Sequence, residues 1–233
     1  MMEIGCAVAP GRRLDVAPDS RKTERALAEM GRRFHARGWA LGTSGNFSAV
    51  VSRRPFRLAI TGSGHDKRTL LPTHIVTVDA AGKRVGRGGR PSAETLLHLT
   101  IARARGAGAV MHTHSVWNTM LSDWHGDAGG LHVEGYEMLK GLDGVTSHDH
   151  REWIPILEND QDIPRLAAVL EKTLAGKPET HAVLLRRHGM YTWGETLAMA
   201  ERHVEILEFL FETLGRRARY DEERSHGGTP WRS

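Results

Sequence analysis

The sequence predicts an α/β protein: a single domain with a mixed central sheet and helices on both faces. Three observations predict it. Apolar stripes of helical period alternate with short apolar runs from residue 20 to about residue 220. No internal repeat and no long linker divides that stretch. The chain has 233 residues, 39% of them hydrophobic and 26% charged, enough for one sizeable core without disulfides.

The elements follow in order. A first helix is predicted over 20–37, with Leu27, Met30 and Phe34 on one face and Gly38 as its stop. Strands are predicted at 47–52, 57–61 and 75–79. Pro91-Ser92 opens a second helix striped by Leu97, Ile101 and Ala104, which ends near Gly106 and leads into a strand at 109–114. Residues 153–157 are extended. Asp162 and Pro164 start another helix, with Leu166, Val169, Leu170 and Leu174 on its apolar face, followed by a strand at 182–187. The last helix, about 195–219, carries Leu197, Ala200, Val204, Leu207, Phe211 and Leu214, widened by Met199, Ile206 and Leu210. A face that broad predicts contact with another subunit.

Composition narrows the function classes. The single cysteine, Cys6, excludes an intrachain disulfide and predicts a reducing, cytoplasmic setting. Residues 1–19 and 221–233 are expected to be a flexible leader and tail flanking a domain at 20–220. Neither an apolar signal segment nor a run long enough to cross a bilayer is present, so no membrane role is expected. The net charge of +4 suits an anionic small molecule. Basic residues are mixed with acidic ones and form no nucleic-acid motif, so no nucleic-acid partner is expected.

Of fourteen histidines, three stand apart. His112 and His114 lie in Ala-Val-Met-His-Thr-His, where strand alternation points both imidazoles to one face. His188 closes a second apolar run just before Gly189. Three imidazoles are a catalytic Zn²⁺ set with a position left for substrate; hydrogen-bonded packing histidines fit the same spacing. His148-Asp149-His150 repeats the spacing within a wholly polar segment and reads as a solvated loop.

Gly42-Thr43-Ser44-Gly45-Asn46, Thr61-Gly62-Ser63-Gly64 and Pro91-Ser92 each offer hydroxyls and backbone N–H groups to an anion, although such residues also simply make turns. Gly64-His65-Asp66-Lys67 lacks the ending of a nucleotide-binding P-loop. No nucleophilic serine or cysteine has a suitable setting.

The ordered set Thr-Ser-Gly-Asn, Thr-Gly-Ser-Gly, Pro-Ser-Ala-Glu, His-Thr-His-Ser and Arg-Arg-His-Gly resembles the class II aldolase/adducin family over about 20–218. The resemblance implies that family's fold, one Zn²⁺ per subunit on His112, His114 and His188, and a sugar-phosphate cradle of Thr43, Asn46, Ser63, Gly64 and Ser92. It puts Glu94 where the family's aldolases keep an acid/base carboxylate; alone, Glu94 reads as a first-turn glutamate suited to a helix dipole.

The stretches 134–141 and 187–195 resemble the family's dehydratase branch and make Glu137 the general acid/base. Alone, Glu137 reads as a solvated helical residue paired with Lys140. The implied activity is dehydration of 5-methylthioribulose 1-phosphate in methionine salvage, by a homo-oligomer expected to be a tetramer. A family aldolase or epimerase acting on another ketose phosphate, and a non-enzymatic adducin-like interaction module, are the alternatives.

Overall fold

In a computed structural model, residues 20–86 and 88–225 are described. The expected leader, with Cys6, and the end of the expected tail lie outside the described residues. Among the described residues there are five α-helices and eight strands. They are α1 (Ser20–Ala36), β1 (Asn46–Arg53), β2 (Phe56–Thr61), β3 (Ile75–Asp79), α2 (Thr95–Ala104), β4 (Ala109–Thr113) and α3 (Val116–Trp124). They continue with β5 (Gly130–Glu134), β6 (Arg151–Leu157), α4 (Ile163–Gly176), β7 (Ala182–Leu185), β8 (Gly189–Gly194) and α5 (Leu197–Ser225).

The strands form one sheet in the order β3-β2-β1-β4-β8-β7-β6-β5. Every neighbouring pair is antiparallel except β6 and β7. The sheet is therefore mixed, as expected.

Strand alternation divides the core into two layers. Ala109 and Met111, Ala182 and Leu184, and Met190 face α1, α3 and α5. Val110, Val183, Leu185, Tyr191 and Trp193 face α2 and α4, through Leu97, Ile101, Leu166 and Leu170. Continuing the alternation past Val110 puts the side chain of His112 on the α2/α4 face.

Several expectations change. The helix expected from Pro91-Ser92 begins only at Thr95, with Glu94 as its cap residue. The strand expected through Arg187 stops at Leu185, because the chain turns at Arg187, whose φ is +57°. Val169 is 47% exposed, so the buried face of α4 is Leu166, Ala167, Leu170 and Leu174. α5 runs on to Ser225, past the expected start of the tail at Asp221.

The breadth of the α5 face also has a cause within the chain. Ile206 and Leu210 are buried; Gly141, in a 3-10 turn at Glu137–Gly141, packs on Ile206, and Trp117 of α3 packs on Gly215. The chain thus covers much of what the sequence assigned to a second subunit.

Candidate active site

The site grows from three neighbouring strand ends. Antiparallel register sets Asn46 of β1 opposite His112 of β4, and His112 opposite Tyr191 of β8. Cross-strand neighbours on one face meet, and the Tyr191 ring stacks on His112 at 4.0 Å with a 10° interplanar angle. His188 sits in the three-residue link between β7 and β8, beside the same strand end. Gly189 makes that approach possible, because a Cβ there would lie 2.3 Å from the Thr113 carbonyl oxygen and 3.0 Å from the His112 ring.

The structure brings the three predicted histidines together, with one ligand atom from each within 4.8 Å of the others. His112 Nε2 and His114 Nε2 are 2.7 Å apart. His112 Nδ1 donates to the Met190 carbonyl at 3.0 Å, which leaves Nε2 as a lone pair aimed at the cluster. His188 Nδ1 lies 3.1 Å from Asn159 Oδ1, an acceptor that makes Nδ1 the donor and likewise leaves Nε2 free. Burial, followed by neighbouring histidine charge, holds His112 well below the usual imidazole range; burial and then His112 pull His114 down to about 3. Neutral imidazoles with converging lone pairs fit a borderline divalent cation.

Glu94 belongs to the cluster. Its Oε2 is 3.4 Å from His112 Nε2 and its Oε1 is 3.4 Å from His188 Nε2. A buried chain of polar groups holds it. Asn46 Nδ2 donates to Glu94 Oε2 at 2.6 Å, so Asn46 Oδ1 is left to accept from His98 Nε2. His98 Nδ1 then accepts from the Ser48 hydroxyl at 2.7 Å. This needs a neutral His98, and burial lowers its pKa to about 4. Asn46 is thus committed at both ends of its amide to orienting Glu94. Burial, then the Glu94 carboxylate, holds the Tyr191 phenol protonated.

A cleft of about 380 Å³ opens beside the cluster. Thr43, Asn46, Ser63, Gly64 and Ser92, all expected in a phosphate cradle, line it together with Glu94, His114 and His188. Backbone hydrogen bonds stitch its three loops: Lys67 N to Gly42 O at 3.1 Å, and Ser63 N to Arg90 O at 2.9 Å. Glu137 is not among the lining residues. Its side chain is 70% exposed and ion-paired with Lys140, with His148 Nδ1 3.9 Å away. His148 is exposed, whereas His150 is half-buried and binds the buried Glu152 at 2.7 Å.

Sequence reading missed the groups that support this site: Tyr191, His98, Ser48, Asn159 and Lys67. Each becomes visible only once strand pairing is known, except Lys67, which lay in plain sight in the loop after Ser63.

On the sheet's other face, Glu208 of α5 is 2% exposed and accepts from Thr113 Oγ1 at 2.7 Å and Asn118 Nδ2 at 3.1 Å. Burial raises its pKa from the ordinary 4.5 to about 7, against hydrogen bonds from Ser115, Thr113 and Asn118 that lower it. Between those values the unfolded chain releases the proton first, so this group's contribution to stability falls as pH rises through the window. Glu208→Gln keeps the accepting oxygen and is expected to stabilise the protein above pH 7 by about 1–3 kcal/mol. Thermal midpoints at pH 5 and pH 8 check it; equal pH sensitivity in variant and parent contradicts it.

The chain matches, over residues 25–214, the family described as class II aldolase and adducin N-terminal domain. It is 46% identical to a methylthioribulose-1-phosphate dehydratase of Methylococcus capsulatus over 202 residues, covering 86% of this chain and 93% of that relative. A Bacillus pumilus protein of the same name is 40% identical, covering 84% and 93%. Among solved structures, an L-fuculose-1-phosphate aldolase of Thermus thermophilus superposes with a TM-score of 0.66 at 24% identity, covering 87% of this chain and 98% of that one. That last likeness concerns the fold.

Proposed function

The chain belongs to the class II aldolase and adducin family, and from that premise we propose that it is a hydro-lyase acting in methionine salvage. It removes water from 5-methylthioribulose 1-phosphate to give 2,3-diketo-5-methylthiopentyl 1-phosphate. The observation that carries this reading is one cleft that joins three converging imidazoles to a hydroxyl- and glycine-lined cradle. The named relatives support the choice of substrate.

His112, His114 and His188 would hold a Zn²⁺ ion, which supplies a Lewis acid for the substrate's ketone oxygen. Thr43, Ser63, Gly64 and Ser92 hold the phosphate, and this sets the carbon-2 ketone toward the histidines. The carbon-3 proton is acidic because it is α to that ketone. A carboxylate accepts it, and the same group, now protonated, returns the proton to the hydroxyl leaving carbon 4. The enol left at carbon 3 ketonises to the diketone, so the balance is loss of one water.

Glu137 is the acid/base in this reading, and it acts in the cleft of a neighbouring copy, since it stands exposed and outside its own cleft. Glu94, held by Asn46 beside the histidines, shares the proton traffic in this reading. Such a site needs a homo-oligomer, for which the family resemblance supports a cytoplasmic tetramer.

Incubating the protein with methylthioribulose 1-phosphate and, in parallel, with a ketose 1-phosphate lacking the methylthio group tests the reading. Dehydration of the first without cleavage of the second is expected. Faster cleavage of the second into shorter carbonyl fragments would make the protein an aldolase.

A further inference from the structure

Lys67 opens a short 3-10 turn directly after the Thr61–Gly64 loop and is 1% exposed. Its ammonium donates to two main-chain carbonyls, Thr43 O and His65 O, each at 3.1 Å, so that it bridges two of the cradle's three loops. The adjoining Asp66 carboxylate favours the charged form through space but makes no ion pair with it. Asp66 is turned to Arg68, accepting its main-chain N–H at 2.8 Å and pairing with its guanidinium at 3.2 Å. Among the described residues Lys67 makes no ion pair.

Burying an ammonium against neutral carbonyls alone is costly, and a lysine placed only for packing could be a methionine at lower cost. Burial does pull this group down, to about 8, yet it remains largely protonated at neutral pH. Lys67 lines the cleft with no carboxylate in direct contact, and the Glu94 carboxylate lines the same cleft beside the histidines. Asp160, the other acid lining the cleft, is matched by Arg165. Among the described residues, a dianion entering this cleft therefore meets a single positively charged lining side chain, Lys67, which has no direct carboxylate partner.

We propose that Lys67 is the built-in counter-charge for a phosphomonoester dianion at the cradle, while tying two of its loops together. This rests on reading the cleft as a phosphate-ester site. Lys67 is a positioning and recognition residue, since its ammonium is engaged by the two loop carbonyls through which it holds the cradle.

The test separates charge from tether. Lys67→Gln keeps N–H donors for the two carbonyls and removes the charge, whereas Lys67→Arg keeps the charge. Calorimetric titration of the metal-loaded full chain with inorganic phosphate is expected to show affinity weakened at least about tenfold in Lys67→Gln and within about threefold of the parent in Lys67→Arg. Metal content should be equal in all three. With the phosphorylated substrate, Lys67→Gln should raise KM more than it lowers kcat.

Parent-like phosphate affinity in Lys67→Gln overturns the proposal and leaves the phosphate-site reading intact. Absence of phosphate binding in the parent overturns both. If Lys67→Gln does not fold, the unmodified protein decides. Its nitrogen-15 ammonium signal for Lys67, assigned through Lys67→Arg, must shift on saturation with phosphate, and an unmoved signal refutes the proposal.

Discussion

Replacing His188 by alanine is expected to release the bound metal and lower turnover by about 10³-fold or more, while leaving the fold intact. The loss follows from the donor count, because three imidazoles become two and a cation held there would lose one of its protein ligands. The fold survives because His188 lies in a hairpin link and is 19% exposed in its side chain. His112→Ala should lose the metal as well, and stability with it, since His112 is fully buried and stacked on Tyr191. His148→Ala and His150→Ala should keep the metal. His150→Ala should cost about 1–2 kcal/mol, because it takes a partner from the buried Glu152. Metal analysis of the purified variants decides, and a His188→Ala protein with full metal and full rate would refute the three-histidine centre.

Glu137→Gln is expected to lower turnover by about 10²–10⁴, equivalent to about 3–5 kcal/mol of barrier, because the amide keeps the shape and cannot take a proton. Metal content and melting temperature should not change, since the residue is exposed. Glu134→Gln, which only loosens a surface pair with Arg151 at 2.9 Å, should be silent. If Glu137 serves a neighbouring copy, mixing Glu137→Gln and His188→Ala subunits should restore part of the activity, because some sites then combine an intact cluster with an intact carboxylate. A near-normal Glu137→Gln beside an inactive Glu94→Gln would assign the acid/base role to the residue that already touches the histidines.

What the sequence could and could not convey follows from the range of each interaction. Local periodicity places α1 and β3 well; of the stripe expected on α2, Leu97 and Ile101 are buried and Ala104 is exposed, and the small-residue loops are legible as loops that line one cleft. β8 was invisible because Gly189–Gly194 is buried throughout and shows no alternation. α3 was invisible because it is nine residues long and exposes Val116. The His-x-His spacing is legible within one strand. Its meeting with His188 depends on a hairpin that ends at a left-handed Arg187, and no local pattern announced that turn. The same holds for Asn46: its place in a Thr-Ser-Gly-Asn loop suggests an anion ligand, while its position opposite His112 binds its amide to His98 and Glu94. Glu137 shows the limit of a single chain, since its exposed position acquires a role only if another copy presents a cleft to it.

The central claim is that this cleft expels water from its substrate and leaves the carbon skeleton whole. It is tested most directly by identifying the product formed from methylthioribulose 1-phosphate by the metal-loaded protein. One phosphorylated product is expected, lighter than the substrate by one water and carrying adjacent carbonyls at carbons 2 and 3. A pair of shorter carbonyl fragments, or an isomer of unchanged mass, would contradict it.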